Sequence, residues 1–275
     1  MLPVLKWVGG KRQMLSHIKE LMPYHFNAYY EPFVGAGAVL FEFAPNVAYI
    51  NDVNKDLISV YISLQDNEQF KKLLLKLDHH EKNHNETYYY EVREMDRLEG
   101  YSALEPFEKA ARVIYLNKAG FNGLYRVNKK GFYNVPSGKR DKVKLYDLDN
   151  ITSIHYYLRS NDVYINNLDF EEVVKDAKKD DFVYFDPPYD PWEDKNSFTS
   201  YAQGDFNKED QIRLFETFKA LDKRGVKVML SNHNTDFIRN LYKDYKIHVV
   251  PAKRVVNSNP NGRGNVEEVI IINYE

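Results

Sequence analysis

Hydrophobic positions follow two spacings along the chain, and each spacing predicts a different kind of element. Short apolar runs bounded by charge, glycine or proline predict buried strands, whereas apolar residues three and four positions apart predict amphipathic helices. The strand pattern begins at Tyr29 and recurs at residues 47–51, 164–170, 182–185, 226–232, 247–250 and 269–273. The helical pattern covers residues 14–22, 54–117 and 211–221. Strands that alternate with helices indicate an α/β fold.

The middle of the chain carries a different pattern. Residues 125–135 predict a β-hairpin that turns near residues 128–131. Between residues 117 and 144 there are eight Lys or Arg and one Asp, a local charge of +7 in a chain whose net charge is −2. Aromatic residues alternate with these basic residues, which is typical of a surface that neutralises phosphates and stacks a base. The alternative is a solvated, lysine-rich hairpin.

Composition limits the class of protein. The 275 residues, 43% of them hydrophobic, suit one large α/β domain or one domain with an insertion. The absence of cysteine excludes disulfides, thiolate metal sites and a cysteine nucleophile. No apolar run approaches the ~20 residues of a membrane span, and the first residues lack the pattern of a signal peptide. We therefore expect a cytoplasmic protein without a membrane partner.

The strand predicted at residues 182–185 ends in Asp186-Pro187-Pro188-Tyr189. Each proline fixes its own φ and disfavours a helical conformation in the residue before it, so the turn should be stiff and extended. The Asp186 carboxylate and the Pro187 carbonyl are two acceptors that suit the two hydrogens of an exocyclic amine. Tyr189 offers a face that can stack on the attached ring. The alternative is a structural turn with a capping aspartate.

A glycine-rich turn follows the first predicted strand, and an acidic residue follows the second. Gly35 and Gly37 permit a tight turn close to a ligand, and Asp52 stands where an acid accepts hydrogen bonds from ribose hydroxyls. Leu40 occupies the place of the third glycine of a dinucleotide-binding motif. The pattern therefore favours a ligand that contains adenosine without phosphates over NAD.

The segment His80-Glu81-Lys82-Asn83-His84 matches the H-E-x-x-H pattern of zinc peptidases. That pattern requires both histidines on a helix that faces a third ligand and a substrate cleft. Here the residues around it are polar almost throughout, which predicts a solvated helix end or loop. A zinc metallopeptidase is thus an alternative that the context disfavours, and we expect no metal.

Six blocks of the sequence resemble, in order, the motifs of DNA adenine N6-methyltransferases of the Dam type. They are Lys6-Trp7-Val8-Gly9-Gly10-Lys11, Glu31-Pro32-Phe33-Val34-Gly35-Ala36-Gly37, Asn51-Asp52-Val53-Asn54, Asn117-Lys118-Ala119-Gly120-Phe121-Asn122-Gly123-Leu124-Tyr125-Arg126, Phe132-Tyr133-Asn134-Val135-Pro136 and Asp186-Pro187-Pro188-Tyr189. The resemblance implies an α/β, S-adenosylmethionine-dependent methyltransferase (Rossmann-like) fold with a mostly parallel seven-stranded sheet and a late reversed strand. It also implies a catalytic, cofactor-binding domain at residues 1–56 and 160–275. An inserted, mainly helical target-recognition domain with a β-hairpin would occupy residues 57–159.

The resemblance also implies roles for individual residues toward S-adenosylmethionine and double-stranded DNA. The residues that would contact the cofactor, or its product S-adenosylhomocysteine, are Trp7, Lys11, Phe33, Gly35, Gly37, Asp52, Asp169, Phe170 and Asp186. The residues that would contact a GATC site are Lys6, Phe121, Asn122, Leu124, Arg126 and Pro136. The basic charge of the hairpin segment adds Lys139 and Arg140 as predicted DNA contacts. Two places depart from the family pattern: Tyr125 stands where a cysteine is common, and Lys139-Arg140-Asp141 stands where an aromatic-lysine run often follows. These departures concern sequence choice and leave the chemistry unchanged.

The predicted reaction is direct methyl transfer to N6 of adenine. An adenine inside a duplex must be flipped out of the helix, and Phe121 is the candidate to fill the vacated stack. Hydrogen bonds from N6 to Asp186 and the Pro187 carbonyl favour the charge that develops on nitrogen, while Tyr189 stacks on the base. The alternatives are a cytosine N4-methyltransferase and a non-catalytic DNA-binding module. We expect a monomer of bacterial or phage origin that acts alone or with a restriction partner.

Overall fold

The computed structural model describes residues 1–7, 11, 14–192, 206–253 and 265–275. The chain divides into two compact units, the first made of residues 1–10, 34–46 and 51–167 and the second of residues 11–33, 47–50 and 168–275. None of the helices in the described ranges combines the length and the apolar character that a membrane span requires.

The helices and strands follow the predicted hydrophobic pattern closely. In chain order they are α1 (Leu15–Leu21), β1 (Tyr29–Glu31), α2 (Ala38–Phe43), β2 (Val47–Asn51), α3 (Lys55–Gln65), α4 (Asn67–Asn83), α5 (Glu86–Glu94), α6 (Pro106–Ala119), α7 (Leu148–Ser160), β3 (Asp162–Asn166), α8 (Phe170–Val173), β4 (Phe182–Phe185), α9 (Lys208–Lys223), β5 (Lys227–His233), α10 (Asp236–Leu241), β6 (Lys246–Lys253) and β7 (Asn265–Ile272). Each apolar run that predicted a strand contains one.

The strands form one seven-stranded sheet in the order β3-β2-β1-β4-β5-β7-β6. Strands β2, β1, β4 and β5 run parallel to their neighbours in that series, whereas β7 runs antiparallel to both β5 and β6. This arrangement confirms the predicted fold class, including the late reversed strand. It also brings the carboxyl ends of β1, β4 and β5 to one edge of the sheet, where open α/β sheets bind their ligands.

The core of the second unit lies around the centre of the sheet. All four residues of β4 are fully buried. Leu214, Phe218 and Leu221 of α9 belong to the same buried cluster as Phe185 and Leu230. A strand that is buried on both faces appears in the sequence as a continuous apolar run, which explains why the pattern located β4 so clearly.

The first unit is mainly helical. Helix α6 packs against α3 and α4, and the side chains of Asn54 and Asp66 cap the N-termini of α3 and α4. The predicted hairpin forms through an antiparallel bridge between Val127 and Tyr133. The predicted target-recognition domain, residues 57–159, lies within this unit, and its role in DNA binding stays a prediction.

The strand prediction at residues 164–170 was wrong at its C-terminal end. Strand β3 ends at Asn166. The carboxylate of Asp169 instead accepts a hydrogen bond of 3.0 Å from the backbone N–H of Glu171 and caps α8. An aspartate just before an apolar residue satisfies a helix N-terminus as readily as it ends a strand. Arg254 and Arg263, two basic residues of the segment between β6 and β7, lie outside the described residues.

Candidate active site

The Asp186 turn begins where β4 ends. The Asp186 side chain is 17% exposed, and its Oδ1 atom lies 2.9 Å from the Nζ atom of Lys11. The hydroxyl of Ser231, a fully buried residue of β5, donates a hydrogen bond of 2.9 Å to the same oxygen. The Tyr184 hydroxyl lies 3.0 Å from Ser231 Oγ. Two protein donors therefore hold one oxygen of this carboxylate in place.

The charge on Asp186 is costly in this position. Burial raises the pKa of Asp186 above its usual range, and the ammonium of Lys11 and the hydroxyl of Ser231 only partly oppose that rise. A carboxylate that has lost most of its water gains from each hydrogen-bond donor that a ligand brings. The turn is thus suited to bind a donor group such as an amine.

Tyr189 ends the turn in a fixed position. Its ring centroid lies 4.3 Å from Lys11 Nζ and 4.9 Å from the centroid of the His233 ring, which meets it edge-on. Its hydroxyl donates a hydrogen bond of 3.2 Å to Glu268 Oε2. Burial, followed by the charge of Asp186, raises the pKa of the Tyr189 hydroxyl well above its ordinary value. The hydroxyl therefore stays protonated and acts as a donor.

Buried amides hold the backbone of the turn. Gln211 Nε2 donates a hydrogen bond of 2.9 Å to the carbonyl of Pro188, and Asn232 Nδ2 donates one of 3.1 Å to Gln211 Oε1. Asn232 Oδ1 accepts a hydrogen bond of 2.9 Å from the backbone N–H of Asp190. Buried polar groups that satisfy one another make a rigid network. The turn is therefore fixed by this network as well as by its two prolines.

Sequence reasoning missed four residues around the turn: Gln211, Ser231, Asn232 and Glu268. Each is a polar residue at a position where the surrounding pattern predicts an apolar one. Ser231 and Asn232 are buried residues near the C-terminal end of β5, Gln211 lies on the buried face of α9, and Glu268 lies within β7. A polar side chain on a buried face was the available signal, because such a group needs a partner inside the protein.

Three predicted cofactor contacts lie in the second unit. The rings of Phe33 and Phe170 have centroids 5.5 Å apart and pack at the hydrophobic core. The carboxylate of Asp169 lies 3.1 Å from the guanidinium of Arg213, whose centre lies 5.1 Å from the Phe170 ring. The structure therefore brings Phe33, Asp169 and Phe170 into one cluster, and their role toward a cofactor stays a prediction.

The glycine-rich turn lies in the first unit and has a left-handed backbone. The φ angle is 50° at Gly35 and 76° at Gly37. A Cβ atom at Gly37 would lie 2.7 Å from Tyr61 Oη, and one at Gly35 would lie 3.1 Å from Trp7 Cδ1. Both positions therefore require glycine.

The acid that follows β2 bonds to this turn. Asp52 Oδ2 accepts a hydrogen bond of 3.2 Å from the backbone N–H of Gly35, and its Oδ1 accepts one of 2.9 Å from that of Asn54. Burial raises the pKa of Asp52 despite these two bonds. Trp7, Gly35 and Asp52, which the resemblance assigned to one ligand, are thus neighbours.

The predicted DNA contacts at the start of the recognition segment share one framework. Asn117 Oδ1 accepts a hydrogen bond of 2.9 Å from the backbone N–H of Lys6. Its Nδ2 donates to the carbonyls of Lys6 and Gly123, at 2.8 and 2.9 Å. Phe121 is 51% exposed, and Asn122 has a left-handed backbone with φ 55°. The ring of Phe121 is therefore accessible from solvent, and its role in DNA binding stays a prediction.

Arg126 lies exposed on the hairpin, and its Nε atom donates a hydrogen bond of 2.7 Å to Asn134 Oδ1. The backbone N–H of Tyr133 in the opposite arm donates one of 2.7 Å to Asp96 Oδ2. The same oxygen of Asp96 lies 2.9 Å from the guanidinium of Arg112, which is almost completely buried. The hairpin that carries Arg126 is therefore anchored in the helical core.

The other predicted DNA contacts lie nearby on the same segment. Pro136, Lys139 and Arg140 are exposed, and Leu124 is half-buried. Tyr125, the departure from the family pattern, places its ring centroid 4.9 Å from that of Trp7. Burial raises the pKa of Tyr125 to about 12. This tyrosine is thus a packed residue that contacts the N-terminal segment.

The expectation that His80 is solvated was wrong. Helix α4 continues to Asn83, and His80 is only 2% exposed, with its Nδ1 atom 2.8 Å from the Tyr88 hydroxyl. Burial lowers the pKa of His80 to about 3. His84 Nδ1 lies 2.8 Å from the Tyr115 hydroxyl. Among the residues that the structure describes, no group of three or more His, Cys, Asp or Glu is placed to hold a metal ion.

Comparison with known proteins gives close matches over nearly the whole chain. Residues 7–256 match the family described as D12 class N6 adenine-specific DNA methyltransferase. The chain is 44% identical to Type II methyltransferase M1.LlaDCHI of Lactococcus lactis subsp. cremoris, over 99% of this chain and 95% of that protein. It is 40% identical to Type II methyltransferase M.MjaIII of Methanocaldococcus jannaschii, over 99% of each. It is also 32% identical to the DNA adenine methylase of Escherichia coli (strain K12), over 98% of this chain and 94% of that protein.

Proposed function

Because this chain belongs to the family of D12 class N6 adenine-specific DNA methyltransferases, we propose that it methylates the adenine of GATC sites in double-stranded DNA by base flipping and direct attack. Methylation of adenine N6 in DNA is the activity of the family, and it implies S-adenosylmethionine as methyl donor. The sequence GATC, the duplex substrate and the roles of individual residues form the proposal.

The Asp186 turn is the observation that supports this mechanism most directly. The amine of a flipped adenine carries two hydrogens, one for the Asp186 carboxylate and one for the carbonyl of Pro187. Lys11 and Ser231 already bind Asp186 Oδ1 at 2.9 Å each. They fix the direction of the carboxylate before the base arrives. Such preorganisation saves reorganisation at the moment of reaction.

The two hydrogen bonds would also activate the amine. The N6 lone pair is delocalised into the purine ring, so the amine is a weak nucleophile. Positive charge develops on N6 as it attacks, and acceptors at Asp186 and Pro187 stabilise that charge more strongly in the transition state than in the ground state. The ring of Tyr189 stacks on the base and holds it in line. No covalent intermediate with the enzyme is required, in agreement with a sequence that contains no cysteine.

When bound, S-adenosylmethionine supplies an electrophilic methyl group on a sulfonium. We assign its ribose hydroxyls to Asp52, whose pKa burial raises and which therefore gains from donors. Gly35 and Gly37 form the left-handed turn that bonds to Asp52, and we assign the backbone of this turn to the same ligand. Further contacts with the cofactor are assigned to Trp7, Lys11, Phe33, Asp169 and Phe170.

The recognition segment supports a role in reading DNA. Arg126 is exposed and donates to Asn134 through Nε at 2.7 Å and through Nη2 at 3.5 Å. The remaining N–H groups of its guanidinium are donors of the kind that suits O6 and N7 of a guanine. The exposed ring of Phe121 can fill the place of the flipped base. Lys139 and Arg140 provide charge for the phosphates. Further contacts are assigned to Lys6, Asn122, Leu124 and Pro136.

One incubation tests the proposed reaction and site together. Purified protein is incubated with tritiated S-adenosylmethionine and either a GATC duplex or duplexes with one base pair changed, and the nucleosides are then separated. We expect label in N6-methyladenine with the GATC duplex alone, and little with the single strand. Equal labelling of all duplexes contradicts GATC, and label in N4-methylcytosine contradicts the choice of base.

A further inference from the structure

Glu268 is a carboxylate in an unusual place. It lies on the reversed strand β7, opposite His233 of β5 and Val250 of β6. The two residues that follow it on β7, Val269 and Ile270, are fully buried. Burial raises the pKa of Glu268; the charge of Lys11 and the hydrogen bond from Tyr189 oppose that rise, and the charge of Asp186 adds to it in smaller measure. Burying a carboxylate costs free energy unless hydrogen bonds or an opposite charge compensate. The methyl-transfer mechanism that we propose assigns no role to Glu268.

The contact that Glu268 makes leads to the Asp186 turn. Its Oε2 atom accepts the hydrogen bond of 3.2 Å from the Tyr189 hydroxyl. A tyrosine has two side-chain torsions, and anchoring the hydroxyl fixes the direction in which the ring points. The edge-on contact of the Tyr189 ring with His233, at 4.9 Å between centroids, restricts rotation of the ring plane. Glu268 and His233 together therefore leave Tyr189 with one orientation.

That orientation matters because one face of the ring is assigned to the substrate. Lys11 Nζ lies 4.3 Å from the Tyr189 ring centroid and 2.9 Å from Asp186 Oδ1. A donor group can thus touch the carboxylate and the ring face at the same time. A flipped adenine has to do the same, with its amine at Asp186 and its ring on Tyr189. The angle of the Tyr189 ring therefore sets the angle of the base.

We propose that Glu268 is a positioning residue for methyl transfer, which acts by holding the Tyr189 hydroxyl so that the ring receives the flipped adenine at the correct angle. This inference rests on the proposed function, because it takes the stacking role of Tyr189 from there. Glu268 does not touch the base itself. Replacing Glu268 should therefore change the rate of methyl transfer and the stacking of the flipped base on Tyr189, and leave cofactor affinity unchanged.

A double-mutant cycle tests this coupling. The single-turnover rate of methyl transfer is measured at saturating cofactor and DNA for Glu268→Ala, Tyr189→Phe and the double variant. We expect each single variant to be slower by about tenfold, as for partial loss of one base–aromatic stack. The double variant should be no slower than the slower single variant, because both changes remove the same hydrogen bond. Multiplied effects, or wild-type rates for Glu268→Ala, overturn the inference.

Two further variants separate positioning from general effects of charge. Glu268→Gln keeps an oxygen that accepts from Tyr189, so we expect it to retain most of the rate. Glu267→Gln removes the neighbouring charge on the same strand, where Glu267 accepts a hydrogen bond of 2.6 Å from Asn234, and it should be equivalent to wild type. If Glu268→Gln is as slow as Glu268→Ala, the role is electrostatic and the inference fails. Should Glu268→Ala fold poorly, Glu268→Met, which has a similar volume and no acceptor oxygen, replaces it in the cycle with Tyr189→Phe.

A fluorescent base reports the position of the substrate directly. With 2-aminopurine at the target adenine, stacking on Tyr189 quenches the fluorescence of the flipped base, and Glu268→Ala should give brighter complexes than wild type at equal DNA affinity. Unchanged brightness contradicts the inference. An Asp186→Ala variant distinguishes failure of the proposed mechanism from failure of the role of Glu268. If that variant methylates normally, the proposed mechanism fails; if it is inactive while Glu268→Ala is normal, only the role of Glu268 fails.

Discussion

Two buried ion pairs, one in each compact unit, are built in opposite ways. In the first unit Arg112 pairs with Asp96 at 2.9 Å, and its guanidinium also donates to the carbonyls of Val92 and Arg93 at 2.9 and 2.7 Å. In the second unit Lys11 pairs with Asp186 at 2.9 Å, and burial raises the pKa of the Asp186 carboxyl group. The first pair uses a planar cation with many fixed donors, and the second uses a flexible ammonium.

The difference shows how one protein separates support from chemistry. A guanidinium whose donors are all directed at fixed acceptors cannot move without loss, so the Arg112 pair is suited to hold the hairpin. An ammonium is a compact point charge on a flexible stem, so Lys11 can hold Asp186 Oδ1 while a ligand approaches the same carboxylate. The Asp186 carboxylate, already costly in its surroundings, then gains from the new donor. A buried charge thus has a structural role in the first unit and, in the mechanism that we propose, a catalytic role in the second.

The largest effect should come from removing the reactive carboxylate. Asp186→Ala is expected to lower kcat by about 10³-fold, because it removes an acceptor for the developing charge on N6. Cofactor and DNA binding should remain, as judged by equilibrium titration. Asp186→Asn keeps an acceptor oxygen and should retain more activity than the alanine variant. An alanine variant that keeps most of its kcat contradicts the assignment.

The supporting pair should show its effect in stability. Arg112→Met removes one of the two arginines that pair with Asp96, since Arg97 stays at 3.1 Å, and it leaves the carbonyls of Val92 and Arg93 without their side-chain donor. We therefore expect a loss of about 2–3 kcal/mol in the free energy of unfolding. Urea unfolding followed by circular dichroism measures this loss. The matched variant Arg97→Met removes the other, more exposed partner of Asp96 and should cost less. If Arg112→Met unfolds at the wild-type urea concentration, the contrast between the two pairs is lost.

A smaller effect is expected from Arg126, for which we propose a contact with DNA. Arg126→Ala should cost about 1–3 kcal/mol of discrimination at one base pair, as for a bidentate contact with guanine. The ratio of kcat/KM for the GATC duplex and for each singly altered duplex measures it. Lys139→Ala serves as control, because a phosphate contact should weaken binding to all duplexes alike. Unchanged discrimination in Arg126→Ala means that Arg126 contacts only phosphate.

Lowering the pH should reduce the stability of the first unit because of His80. Its pKa is lowered to about 3 in the folded protein, whereas an unfolded histidine titrates near 6.5, so the unfolded chain binds more protons between these values. Stability is therefore complete above pH 6.5 and falls as pH decreases toward 3. Between pH 7 and pH 5 the loss should be at most about 2 kcal/mol. Urea unfolding of the wild type and of His80→Phe at both pH values isolates the part of the stability loss that is due to His80. If both proteins lose the same free energy of unfolding between pH 7 and pH 5, His80 is not the cause.

Much of this molecule could be predicted from short stretches of sequence. The apolar run at Phe182–Phe185 predicted its strand because a buried central strand has no polar face to interrupt the pattern. The double proline after it predicted the turn, since proline restricts the backbone of any chain. The end of β3 was missed because Asp169 satisfies a helix N-terminus and a strand end equally well in a linear pattern.

By itself, the sequence determined the order of strands and helices and the chemical groups at the tips of the strands, because both depend on neighbours along the chain. Tertiary structure alone decided which partners those groups meet. It placed Lys11 and Ser231 on Asp186, more than 170 and about 45 positions away along the chain, and it buried His80 that the polar pattern had predicted to be solvated. Burial and distant partners set the energy of a charge, and neither is encoded in local sequence.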